Sequence, residues 1–256
     1  MGWIHAATFA VGIVVGFLGG MFGKGGSAIA TPLLSLIGLP GFIAVASPLP
    51  ATVPGTLIAS AEYWRLQLID WRVVCWSIAV GVPSTILGSF FTKITGAAPL
   101  LLVTGLLVLG FGISFLFFPE EQESPSSLTQ IETHRSYLRI KLFAVACFVG
   151  LVSGLLANSG GFLLAPCYVK FLKLPIKTSF ACSLIVSAAL AVPGTIVHAY
   201  LGHISWPITV TLALGSMPMS YLGARIAIHT RSRRLEKWYG AMLTLLGLFF
   251  LLHHVA

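Results

Sequence analysis

Read for its hydrophobic and polar positions, the chain is a series of long apolar runs broken by glycine, proline and short polar turns. The runs fall at about 4–22, 27–38, 44–63, 73–91 and 98–118, and again at 139–157, 162–172, 179–199, 207–227 and 237–255. They are continuous and do not alternate with period two, which predicts helices and argues against a membrane barrel. Most are roughly 18 to 20 residues long, the length a helix needs to cross the hydrocarbon core. A bilayer admits only helices or closed barrels, because every backbone polar group must be paired internally. The expected fold class is therefore an all-α polytopic membrane protein.

The same pattern occurs twice. Gly16-Phe17-Leu18-Gly19-Gly20, followed by Gly25-Gly26 and Pro32, is echoed by Gly150-Leu151-Val152-Ser153-Gly154, followed by Gly160-Gly161 and Pro166. Val53-Pro54-Gly55-Thr56 answers Val192-Pro193-Gly194-Thr195, and Ile69-Asp70-Trp71 answers Ile204-Ser205-Trp206, with most pairs about 135 residues apart. The predicted organisation is a first membrane repeat at 1–118, a Glu- and Ser-rich linker at 119–138 and a second membrane repeat at 139–256. Five segments per repeat is an odd number, so the second repeat enters the membrane inverted. Duplicated apolar chains interrupted by Gly and Pro are the sequence signature of secondary transporters.

Composition sharpens the compartment. Hydrophobic residues make up 57% and charged residues 9%, far from the quarter or so charged in soluble domains. The net charge of +8 is not read as a nucleic-acid signal. Counting crossings puts 14 of the 15 Lys and Arg on one side, with only Lys93 on the other. Lys/Arg excess marks the cytoplasmic side, so both termini are expected outside and the linker inside. Met1-Gly2-Trp3-Ile4-His5 carries no basic leader and reads as the start of the first membrane helix. Cys75, Cys147, Cys167 and Cys182 are scattered without ligand spacing and read as packing residues.

The second segment of each repeat is too short to span comfortably: 12 residues at 27–38 give roughly 18 Å against a core of about 30 Å. Each is expected to form, with the segment before it, a Gly-tipped hairpin that enters the membrane part way. Inverted hairpins would bring the two tips together near the midplane. In the first tip Lys24 stands between glycines, followed by Gly25, Gly26 and Ser27 at the start of a short helix. An ammonium beside freed backbone N–H groups and a helix N-terminus makes a site for a small anion. A lysine within a membrane segment also asks for a functional reason. The second tip, Asn158, Ser159, Gly160 and Gly161, has donors but no charge. Ser47 and Thr52 in one third segment, and Ser183 and Ser187 in the other, are the expected hydroxyl-bearing walls. Pro54-Gly55 and Pro193-Gly194 are the expected helix-breaking, gating points. His198 is a candidate for a proton pathway.

No phosphate-binding GxxxxGK[ST] run occurs, and no cluster has metal-ligand spacing. The chain is thus not expected to be an enzyme, and no cofactor is called for. Its expected partners are a small anionic substrate, the lipid bilayer and a coupling proton or other ion; a homo-oligomer is compatible with this, and nucleic acid is not expected.

The duplicated Gly-rich opening, the twin Pro-Gly-Thr motifs and the twin Ile-x-Trp motifs resemble the TauE/SafE sulfite exporter family, within the toluene sulfonate uptake permease superfamily, over about residues 10–252. The resemblance implies export of sulfite, thiosulfate, sulfoacetate or other organosulfonates across a prokaryotic cytoplasmic membrane. The uncharged second tip implies an asymmetric site in place of a two-cation clamp. A transporter of a carboxylate or neutral metabolite, and a non-catalytic accessory subunit, are the alternative readings.

Overall fold

The computed structural model describes residues 2–23, 26–95, 97–117, 135–156 and 159–255. Its helices are α1 (Gly2–Phe22), α2 (Ser27–Leu36), α3 (Gly41–Ala46), α4 (Pro48–Arg65), α5 (Trp71–Thr95), α6 (Ala97–Phe117), α7 (Arg135–Leu155), α8 (Gly161–Leu172), α9 (Ile176–Tyr200), α10 (Trp206–His229) and α11 (Ser232–Val255). Four stretches, Gly2–Phe22, Gly41–Arg65, Trp71–Phe90 and Ile176–Tyr200, are long and apolar enough to cross a membrane. The all-α expectation holds. The linker lies largely outside the described residues.

Two corrections concern proline. The third segment of the first repeat is not one helix: it divides at Ser47 into α3 and α4. Pro48 and Pro50 have no N–H to donate back to Ala44 and Ala46, so the hydrogen-bond ladder lapses while the backbone stays helical at Ser47 (φ −63°, ψ −30°). Pro54 and Pro193, by contrast, do not break their helices. Each lies inside a continuous helix, α4 and α9, at the cost of one donor. The short helices are as short as expected, 10 residues for α2 and 12 for α8, or roughly 15 and 18 Å.

Packing runs across the two halves of the chain. Helix α1 lies along α10 and α7 along α5, while α6 pairs with α11 and α4 with α9. Exchanging the halves leaves this set of partners unchanged. Glycine makes the approach close enough. A Cβ added at Gly20 would fall 2.1 Å from the Ser220 carbonyl oxygen, and one at Gly154, its counterpart, 2.0 Å from that of Thr85. The α6–α11 pair repeats the device: a Cβ at Gly112 would meet the Thr244 backbone at 2.5 Å, and one at Gly247 the Leu109 backbone at 2.6 Å. Lipid offers no hydrophobic drive for helix association, so backbone-to-backbone packing through small residues must supply it.

A continuous core gathers around α8 and α9, with Phe162, Tyr168 and Phe180 fully buried. Apolar side chains elsewhere face outward, among them Phe42, Phe90, Ile196 and Leu245, as a lipid-facing surface requires. Trp71 and Trp206, half exposed at the starts of α5 and α10, sit where interfacial anchors belong.

Candidate functional site

The site is built by the turns that end α1 and α7. After Phe22 the backbone flips into the left-handed region at Gly23 (φ +66°), and the second tip does so at Gly160 (φ +69°). Only glycine takes this conformation freely. A Cβ at Gly23 would also strike Phe180 Cα at 2.5 Å, so α9 closes directly against the first tip. Ser183 secures that contact: its hydroxyl donates to the Gly23 carbonyl at 2.6 Å.

The two tips meet. Ser27, the first residue of α2, places its Oγ 2.9 Å from Ser159 Oγ and accepts the Ser159 backbone N–H at 3.1 Å. Both serines are 1% exposed. Gly26 precedes α2, and Gly160 and Gly161 open α8, so two short helices start at one junction. Their unpaired N-terminal N–H groups and the positive ends of their dipoles converge there. An oxyanion is what such an arrangement favours.

The wall residues divide. Thr52 stands beside the first tip, its methyl 3.5 Å from where a Cβ on Gly26 would lie, with its hydroxyl given to the Leu49 carbonyl. Ser187, on α9 one turn beyond Ser183, is fully buried, and its hydroxyl has no hydrogen-bond partner within the protein. A buried hydroxyl without a partner carries an uncompensated desolvation cost, so it marks a place that a ligand or water completes. Ser47 is not part of the junction. Its Oγ accepts the Ser205 N–H at 3.1 Å and its carbonyl accepts the Thr209 hydroxyl at 3.0 Å, tying the α3–α4 bend to the start of α10. Gly55 and Gly194 serve helix contacts: a Cβ at Gly55 would meet Ser220 Oγ at 2.9 Å, and one at Gly194 the Leu49 side chain at 3.3 Å. Lys24, Gly25 and Asn158 lie outside the described residues.

Other features surfaced only in three dimensions. Glu236 on α11 is 2% exposed, one turn before Tyr239, whose ring packs on Phe22 and Phe180 behind the first tip. Next to the Arg231–Arg234 run it reads, by sequence, as part of a solvated anchor. His198 Nδ1 lies 3.2 Å from His203 Nδ1, and the His203 ring stacks on Phe42 of α3. This pair sits at the α9–α10 turn, with no recorded contact to the tips.

Comparison with known proteins agrees with this architecture. The family model described as sulfite exporter TauE/SafE matches residues 8–250. A probable membrane transporter protein of Xylella fastidiosa is 29% identical over 86% of this chain and 84% of its own. Another, MJ0441 of Methanocaldococcus jannaschii, is 25% identical over 94% and 93%, and YjnA of Bacillus subtilis is 23% identical over 96% and 99%. No solved structure matches. With nearly its whole length spanned by the one family model, the chain belongs to the sulfite exporter TauE/SafE family.

Proposed function

We propose that this protein is a secondary transporter, working as an exporter, for a small sulfur-containing anion such as sulfite or an organosulfonate. The observation that carries the reading is the convergence of the α2 and α8 N-termini at the Ser27–Ser159 contact. Anions bind where helix N-termini and unpaired N–H groups point at one place. Transporters put such ends at the interface of their repeats, with the substrate between. Ser187 supplies a further donor beside α9, and Lys24, by its position between Gly23 and Gly26 in the chain, supplies the charge. The exchange-invariant packing supports two repeats of opposite orientation, and family membership supports the choice of a sulfur oxyanion. The protein works in a prokaryotic cell membrane, termini outside and linker in the cytoplasm, with a proton or other ion gradient as its energy source.

The test is electrogenic response in proteoliposomes to sulfite, sulfoacetate, taurine, sulfate and acetate, for the wild type, Lys24→Ala and Lys24→Arg. Saturable current with sulfite or a sulfonate but not acetate, lost in Lys24→Ala and partly kept in Lys24→Arg, is expected. A folded Lys24→Ala protein with unchanged anion selectivity removes Lys24 from the site. Silence toward every sulfur anion rejects the substrate class.

A further inference from the structure

Beside Gly26 lies a small pocket between α1, α4 and α10, walled by Val15, Gly16, Ala51, Thr52, Gly55 and Leu212 among others. Its space is about 10 Å³, room for about one water or one methyl group. Hydroxyls border it, but their protons are already committed. Thr52 donates to the Leu49 carbonyl at 2.9 Å, Thr56 to that of Thr52 at 3.0 Å, Ser216 to that of Ala213 at 3.1 Å, and Ser220 to that of Gly16 at 3.2 Å. What remains facing the space is mainly carbon. A water gains little there, because a buried water needs two to four polar partners. An apolar group gains by leaving solvent.

The second half has no such space. Counted back three residues from the prolines of the twin Pro-Gly-Thr motifs, Ala51 corresponds to Leu190. Both are 1% exposed. The Leu190 methyls lie 3.2 Å from a Cβ placed on Gly160 and 3.0 Å from one on Gly81. Val149, the counterpart of Val15, crowds Gly160 at the same 3.2 Å. The leucine thus fills, next to the second tip, the volume that alanine leaves open next to the first.

We propose that the Gly26 pocket seats a methyl-sized apolar tail of the transported anion, its charged head at the Ser27–Ser159 junction, and that Ala51 and Leu190 together impose this one-sided orientation. The head position rests on the transport reading above. The tail position rests on the pocket, which adjoins Ser27 through the single peptide bond from Gly26. The ligand class is a monoanion carrying one or two carbons. Ala51 is the residue that sets tail length, and Leu190 denies the tail a second seat.

The experiment is competition against transport by full-length protein in proteoliposomes. The competitors are sulfite, methanesulfonate, ethanesulfonate and butanesulfonate, and in parallel formate, acetate, propionate and valerate. Each methylene accommodated strengthens binding roughly fourfold, so affinity should peak at one or two carbons and fall at least tenfold for butanesulfonate. Ala51→Leu is expected to weaken methanesulfonate about tenfold or more while leaving sulfite within about twofold. Ala51→Gly shifts the optimum one carbon longer and decides the matter if the leucine variant does not fold. Leu190→Ala relaxes the length limit. Equal losses for sulfite and methanesulfonate in a folded Ala51→Leu protein, or no length preference in either series, overturn the tail pocket. If no sulfur anion competes but the carboxylates show a length preference that Ala51 controls, the pocket stands and the sulfur substrate is rejected.

Discussion

The hydroxyl oxygens of Ser27 and Ser159 lie 2.9 Å apart across 132 residues of sequence, and the Ser159 N–H donates to the same Ser27 oxygen. One serine therefore serves both tips. Ser27→Ala leaves a buried N–H without this acceptor and should destabilise the detergent-solubilised protein by about 1–3 kcal/mol. Ser159→Ala keeps that N–H but loses the acceptor, and should cost less, about 1 kcal/mol. Thermal unfolding of both variants and their double mutant checks the ordering; equal costs would contradict it. In transport, both should raise the substrate KM more than they lower the maximal rate.

Ser187 separates stability from function. Its hydroxyl has no partner within the protein, so Ser187→Ala should leave the melting temperature unchanged or slightly raised. If the group binds the anion, transport falls about tenfold, the worth of one hydrogen bond to a charged ligand. Flux and melting measured on the same preparation test this. A destabilised but fully active variant would make Ser187 structural.

The glycines of the cross-half contacts are steric requirements. Gly20→Ala and Gly154→Ala would each push a methyl to about 2 Å from a carbonyl oxygen of the facing helix, and each should cost about 1–3 kcal/mol or more. Gly110→Ala, with nothing near its added Cβ, is the control and should be neutral or slightly stabilising. Expression yield and unfolding in detergent report the difference.

Orientation can be read by labelling. In a background with Cys75, Cys147, Cys167 and Cys182 replaced, a cysteine at Gly2 should react with an impermeant maleimide in intact cells. One at Ser126 should react only after permeabilisation. The reverse pattern would invert the topology drawn from the Lys and Arg distribution.

Much of this architecture is visible in the sequence because the bilayer removes choices. Run length gives the long helices, and glycine runs mark where α1 and α7 must turn. What one sequence hides is partnership. Nothing in Gly16 or Gly20 announces that α10 is the helix they admit, since a small-residue stripe says only that some backbone comes close. Ala51 and Leu190 are both ordinary apolar positions until the space around each is compared. Ser47 looks like a cavity hydroxyl by type, yet its neighbours Ser205 and Thr209 claim it. Pro54 and Pro193 look like breaks, yet a helix packed on both sides tolerates the loss of one bond. Glu236 hides within a basic run whose charges suggest open solvent.

The pairing of α1 with α10, and of α7 with α5, bears on how such a protein moves. Each half of the chain lends its opening helix to a bundle completed by the other half, so the two halves are threaded through one another like clasped fingers. They cannot rock apart as left and right. Any rigid body that swings must be a mixed one, such as α1 with α4 and α10 against α5 with α7 and α9. The hinge then falls where α4 meets α9, within reach of both tips, and the polypeptide's midpoint is not a mechanical boundary at all.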